Sequence, residues 1–224
     1  MRVRYVGVSF GIDSLTDGKN LFDGCYNEVV ISESCFPNVT KGSYMFSGAT
    51  ISSTSGAIYL PNLIDTNQLL YECRTANIVI KLPKVTSLYF LAGCSYYDGL
   101  IKTIDITIDQ TESDVDINRV CMYQNRLTSV NIHTASNIGI YDGDKRNAFN
   151  GCTGLANFNA NRIIGDISFE FSPNLTQESV NNVLNALADG VTGKEITFAS
   201  TQYGYITEEQ KAAATAKGWT IKSS

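Results

Sequence analysis

A short block recurs along the first three quarters of the chain and constrains its fold more than any other feature. The copies are Leu21-Phe22-Asp23-Gly24-Cys25, Met45-Phe46-Ser47-Gly48-Ala49, Leu69-Leu70-Tyr71-Glu72-Cys73, Phe90-Leu91-Ala92-Gly93-Cys94 and Ala148-Phe149-Asn150-Gly151-Cys152. Each sets a large apolar residue three places before a small Cys or Ala. Cys25 to Ala49 is 24 positions, Ala49 to Cys73 is 24 and Cys73 to Cys94 is 21. A unit this short cannot bury its own apolar face, so neighbouring units must stack and share one interior. The 58 positions from Cys94 to Cys152 predict two wider units, one built on a degenerate block near Cys121-Met122-Tyr123-Gln124-Asn125.

Between the blocks run alternating, β-rich segments: Val30-Ile31, Ile58-Tyr59-Leu60, Ile78-Val79-Ile80, Ile104-Asp105-Ile106-Thr107-Ile108, Leu127 to Ile132, Leu155 to Ala160 and Ile167 to Phe171. Period-two alternation is the mark of a strand with one buried face. The prolines Pro37, Pro61 and Pro83 follow the first three runs, where the chain turns and no ladder amide is needed. Each unit is therefore expected to give one strand to a parallel sheet and one returning arm carrying the block. The small residues Cys25, Ala49, Cys73, Cys94 and Cys152 are expected to form one stacked interior column, with Cys35 and Cys121 outside it.

The fragments "LFDGC", "MFSGA", "FLAGC" and "AFNGC", with "GCTGLANFN" running from block into strand, resemble the irregular leucine-rich repeats of bacterial surface proteins of the BspA type and their phage-encoded relatives. The resemblance covers roughly residues 21–171. It implies an α/β, β-rich repeat fold: a right-handed leucine-rich-repeat-like solenoid with one parallel sheet and an α/β cap. The spacings fall within the roughly 20–29 residues of such repeats.

Beyond Ser172 the pattern changes to two helices. Thr176 is the expected N-cap of the first, with a stripe of Val180, Val183, Leu184 and Leu187 and Gly190 as its stop. A strand, Glu195 to Ala199, leads to Thr207-Glu208-Glu209-Gln210, a capping-box pattern that opens an Ala-rich helix closed by Gly218. This segment resembles a terminal piece found after such repeats in proteins of gut bacteria and phages, with Ile206 where the pattern has Leu. "YVGVSFGIDSLTDGK" resembles the start of small phage-associated β-barrel modules. The implied organisation is an N-terminal cap over 1–20, a solenoid over 21–171 and a C-terminal α/β cap over 172–224.

The formal charge of −5 and pI of about 4.9 offer no surplus of cations for phosphates or an anionic membrane, which argues against nucleic acid as partner. No signal-peptide h-region or membrane-length apolar run is visible, so synthesis in the cytoplasm without membrane insertion is expected, and the resemblance adds association with a virion. With no export signal, the six cysteines are expected to be free thiols.

Chemistry has few candidates. His133 stands alone of its type, far in sequence from any cysteine, and reads as a sheet-face histidine rather than a catalytic one. No Cys-x-x-Cys pair and no Gly-rich phosphate loop occur, so no metal and no cofactor are predicted. Asp105, Asp109, Glu112, Asp114 and Asp116 crowd one strand and its exit; they read as a solvated acidic face, with a hard-cation site as the alternative. Asn38 and Asn174 match a glycosylation pattern but read as a turn and a helix cap. Tyr96, Tyr97, Tyr123 and Tyr141, in or beside loops, are the candidate contact residues, because tyrosine gives a rigid amphipathic surface at low entropic cost. Asp105 and Asp109, four apart on one strand, join them as binding residues and as the one carboxylate pair worth testing for polysaccharide hydrolysis. The leading expectation is a non-catalytic adhesin or receptor-binding component that recognises a protein or glycan on a cell surface. The alternative is an intracellular phage-encoded protein that binds and inhibits a host protein.

Overall fold

A computed structural model describes residues 12–32, 35–95, 99–141 and 143–224. Over these residues the chain is an α/β protein of mostly parallel strands in several sheets, with few helices and no closed barrel. In order come β1 (Glu28–Ile31), β2 (Thr50–Ser53), β3 (Ile58–Tyr59), β4 (Asn77–Lys81), β5 (Thr103–Ile108), β6 (Val115–Asp116), β7 (Ser129–Thr134), β8 (Ile138–Gly139), β9 (Asn157–Ala160) and β10 (Ile167–Phe169). Then follow α1 (Gln177–Ala186), β11 (Lys194–Phe198), α2 (Ser200–Tyr203), α3 (Glu208–Ala216) and β12 (Trp219–Ser223).

The central sheet runs β3-β4-β5-β7-β9, every pair parallel. Its register follows from the alternation. Ile58, Ile80, Ile106 and Ile132 pair in one row and Ile78, Ile104, Val130 and Phe158 in another, and every one of these side chains is buried. A one-residue slip would turn both rows into solvent, which pins the pairing.

The recurring blocks form a second ladder. Gly18, Asn20, Phe22 and Gly24 donate their amides to Lys41, Ser43, Met45 and Ser47, while Gly42, Tyr44, Phe46 and Gly48 donate to Asp65, Asn67, Leu69 and Tyr71, all at 2.8–3.2 Å. The residues between them turn inward on their own arm: Leu21 donates to Gly18, Asp23 to Asn20 and Cys25 to Phe22. Alternate amides thus tie each arm to the next, and no backbone donor in the run is wasted. The geometry needs left-handed backbone at one arm position, held by Asn20, Tyr44, Gln68, Phe90 and Arg119 with φ of 51–58°.

This ladder corrects the expected cysteine column. Ala92 donates to Val120 and Cys94 to Met122, while Cys121 donates to Ala148 and Tyr123 to Asn150. By the same offset, Cys25, Ala49 and Cys73 continue into Ser95, Gln124 and Cys152. Cys94 instead lies level with Glu72 and Tyr123, and Cys121 with Leu70, Ala92 and Phe149. The reason is one residue: the arm around Gly93 enters the ladder a place later than "FLAGC" suggests. The wide gap holds one intermediate arm, at 117–124, as the degenerate block predicted. Ring stacking supports the column at both ends, with Phe22 on Phe46 at 5.6 Å, Phe149 on Phe169 at 5.2 Å and Phe169 on Phe198 at 5.7 Å. Such pairs add about 0.5–1.5 kcal/mol each beyond their buried area.

The C-terminal segment extends the same interior. Sheet β10-β11-β12 is parallel, and α1 covers the edge of β9: the Phe158 amide donates to the Ser179 hydroxyl at 2.8 Å and the Thr176 amide to the Ala156 carbonyl at 2.9 Å. Thr176 caps α1, and Thr207 with Gln210 closes the capping box of α3. Helix α1 stops at Ala186, before Gly190, because Leu187 turns extended to bridge Ile163 and Ala188 donates to the Ile163 carbonyl. Trp219, buried, donates its indole N–H to Ala188 at 2.9 Å. The expected N-terminal cap lies mostly outside the described residues.

Candidate functional site

The outward face of the central sheet carries the rows Asn77, Thr103, Ser129, Asn157; Val79, Asp105, Asn131, Asn159; and Lys81, Thr107, His133. Asp105 lies there with an oxygen 3.2 Å from His133 Nε2. The pair is open to solvent, with side-chain exposures of 36% and 54%. Asp109 is exposed and falls just past the end of β5, so the two aspartates do not share a strand face inside the ladder. The other acids shape turns: Asp114 accepts from Asn137 at 2.5 Å, Asp116 from the Asn118 amide at 3.1 Å, and the Glu112 amide donates to Gln110. Among the described residues, no group of three or more His, Cys, Asp or Glu is placed to hold a metal.

Tyr141 is exposed, and its phenol is pushed well above the ordinary value, first by burial of its hydroxyl and then by the Asp114 and Asp116 carboxylates. It borders a polar cleft of about 400 Å³ with Asp144, Lys145, Asp166 and Lys194. Lys145 and Lys222 both pair with Glu195, and Arg146 pairs with Asp144, so the charges of this cleft largely neutralise one another. Tyr123 is half-buried with φ 66°. Tyr96 and Tyr97 lie outside the described residues.

The sequence reading missed a row of rings on the arms. Tyr44 meets Tyr71 edge-on at 6.1 Å, Tyr71 meets Phe90 at 5.5 Å, and Phe90 meets Tyr89 at 6.4 Å. The Arg119 guanidinium lies over the Tyr89 ring at 5.8 Å and donates to its hydroxyl at 3.2 Å. All five side chains are half-buried. The Tyr71 phenol is raised from its ordinary value by burial and by the neighbouring Glu72 carboxylate, against the lowering effect of the Ser95 hydroxyl, which also donates to Glu72. Aligning the blocks by their arm position would have found the row, since Tyr44, Phe90 and Arg119 occupy the place of Asn20.

The thiols divide into buried and half-buried groups. All six cysteines are unpaired with one another, and burial pushes up Cys73, Cys121 and Cys152, the last to about 12. Cys152 Sγ donates to the Cys121 carbonyl at 2.9 Å and Cys73 Sγ to Ala49 at 3.3 Å. At the first arm, Leu21, Phe22, Gly24, Cys25, Tyr26, Asn27 and Val29 line a mostly apolar hollow of about 500 Å³. No helix among the described residues is long and apolar enough to cross a membrane. Compared with models of known families, with curated proteins and with solved structures, the chain finds no match.

Proposed function

We propose that the chain is a non-catalytic binding scaffold, built as a right-handed leucine-rich-repeat-like solenoid with an α/β cap, that recognises a protein or glycan partner on a cell surface. The observation that carries this is the aromatic row: rings from three consecutive arms stand side by side on half-buried positions, joined to a guanidinium from the next arm at one end and to a carboxylate beside the middle ring. Repetition turns one modest contact into an extended one, which is how stacked repeats recognise partners. The likeness of the blocks to BspA-type repeats supports an adhesin or receptor-binding component of a bacterial surface or a virion. The net charge of −5 supports a second reading, an intracellular protein that masks a basic host surface. Screening the intact chain against arrayed glycans and surface proteins tests the scaffold, and assaying the glycans for cleavage tests the enzyme alternative, with Asp105→Asn as its control. Binding without turnover is the expected result. Cleavage that disappears in Asp105→Asn would overturn the proposal.

A further inference from the structure

We propose that the row Tyr44, Tyr71, Tyr89, Phe90 and Arg119 is the binding site, and that its ligand is a neutral oligosaccharide. This rests on reading the chain as a binding scaffold. A sugar ring presents C–H patches on its faces and pairs of hydroxyls at its rim. The row presents the complement: aromatic faces and edges with centroids 5.5–6.4 Å apart, a planar guanidinium at Tyr89 and a carboxylate beside Tyr71. Guanidinium and carboxylate both make paired hydrogen bonds to vicinal groups. Four arms at a ladder spacing of about 4.8 Å give a row about 14 Å long, room for several linked sugars.

Charge narrows the choice further. Glu72 and Arg119 carry opposite charges and offset each other within the row, while the Asp65 carboxylate at its border keeps its charge and is held by the Ser43 hydroxyl and the Asn67 amide. The large exposed apolar side chains, such as Tyr26, Ile64 and Val79, lie outside the row. Tyr44, Phe90 and Arg119 hold left-handed backbone with φ of 57°, 51° and 56°, which Gly accepts freely, Asn tolerates and other side chains pay for through their Cβ. Asn20 fills the same arm position at 58°. Gln68 holds the same backbone at 56° without joining the row, so the left-handed turn belongs to the arm, and the row is defined by its rings.

The test titrates the full chain with neutral hexasaccharides of glucose, mannose, galactose and N-acetylglucosamine, followed by calorimetry, alongside thermal unfolding. Tyr44→Asn and Arg119→Asn place a residue the left-handed backbone accepts. Each should weaken binding by about tenfold, the scale of losing one contact residue, without lowering the melting temperature, whereas Asp105→Asn with His133→Gln on the sheet face should leave binding unchanged. Equal binding by the row variants, or loss only in the sheet-face variant, would overturn the site and leave the scaffold standing. Failure of every neutral sugar while a purified protein binds through the row would overturn the ligand class alone. Cleavage of a sugar would overturn both the inference and the scaffold.

Discussion

Gly139→Ala is the substitution that most sharply probes the packing of adjacent segments. A Cβ on Gly139 would lie 2.4 Å from Gly165 Cα and 2.5 Å from its nitrogen, and a Cβ on Gly165 would lie 2.7 Å from Gly139 Cα. The obstacle is backbone on both sides, so no side-chain rotation relieves it. Gly139 does not have positive φ, so alanine suits its backbone; without the clash the exchange would stabilise by about 0.4–1 kcal/mol through the unfolded state. The sign therefore depends wholly on the close approach. Overpacking costs about 1–3 kcal/mol. Prising the segments apart also weakens the bonds from Ile164 to the Ile138 carbonyl and from Ile117 to the Gly139 carbonyl, at 2.9 and 3.0 Å, worth about 1 kcal/mol each. A net loss of about 3 kcal/mol follows, or about 6–12 °C in melting temperature for a chain of this size. Urea and thermal unfolding followed by circular dichroism measure it. Gly24→Ala, with φ 69° and nothing within 4 Å, should lose only about 1 kcal/mol, the left-handed penalty. If Gly139→Ala melted at or above the parent temperature, the contact between these segments would be wrong.

Other consequences follow from single groups. Glu195 is held down to about 2 by Lys145 and Lys222, below its unfolded value; its contribution is complete above about pH 4.5 and is lost as pH falls toward 2. Glu195→Gln should flatten the pH dependence of stability across that window, and an unchanged slope would refute the pairing. In native protein at neutral pH, an alkylating reagent mapped by mass spectrometry should modify the half-buried Cys25 and Cys35 and spare Cys73, Cys121 and Cys152, because burial raises their thiols and withholds the reactive thiolate. Thr207→Ala removes the hydroxyl that accepts from the Gln210 amide and should cost about 1 kcal/mol in urea unfolding.

Much of the architecture was legible because it rests on local chemistry. Alternation in Ile104 to Ile108 and Val130 to Ile132 settles both strand and buried face, and Thr176 and Thr207 announce their helices through hydroxyls that need no tertiary partner. Position along the arm was less visible. "FLAGC" looks like "LFDGC" letter for letter at its Gly-Cys, yet Cys94 falls level with Glu72, since register is decided by amides pairing across segments and not by the likeness of side chains. Helix α1 ends at Ala186 for the same reason: Ile163, distant in sequence, claims Leu187 and Ala188. The aromatic row stayed hidden because Tyr44, Tyr71, Tyr89 and Phe90 are scattered in the chain and become neighbours only once the arms are stacked. The turn roles within the acidic cluster were equally hidden, as the partners of Asp114 and Asp116, Asn137 and the Asn118 amide, are fixed only by the folded loops.

Methyl-resolved NMR would test the parallel register most directly. In a sample labelled at isoleucine and valine methyl groups, cross-relaxation should step from Ile58 to Ile80 to Ile106 to Ile132 and, separately, from Ile78 to Ile104 to Val130, following the paired rows. Cross-peaks that join Ile80 to Ile104 or Ile106 to Val130 more strongly than these, or no transfer between successive strands at all, would contradict it.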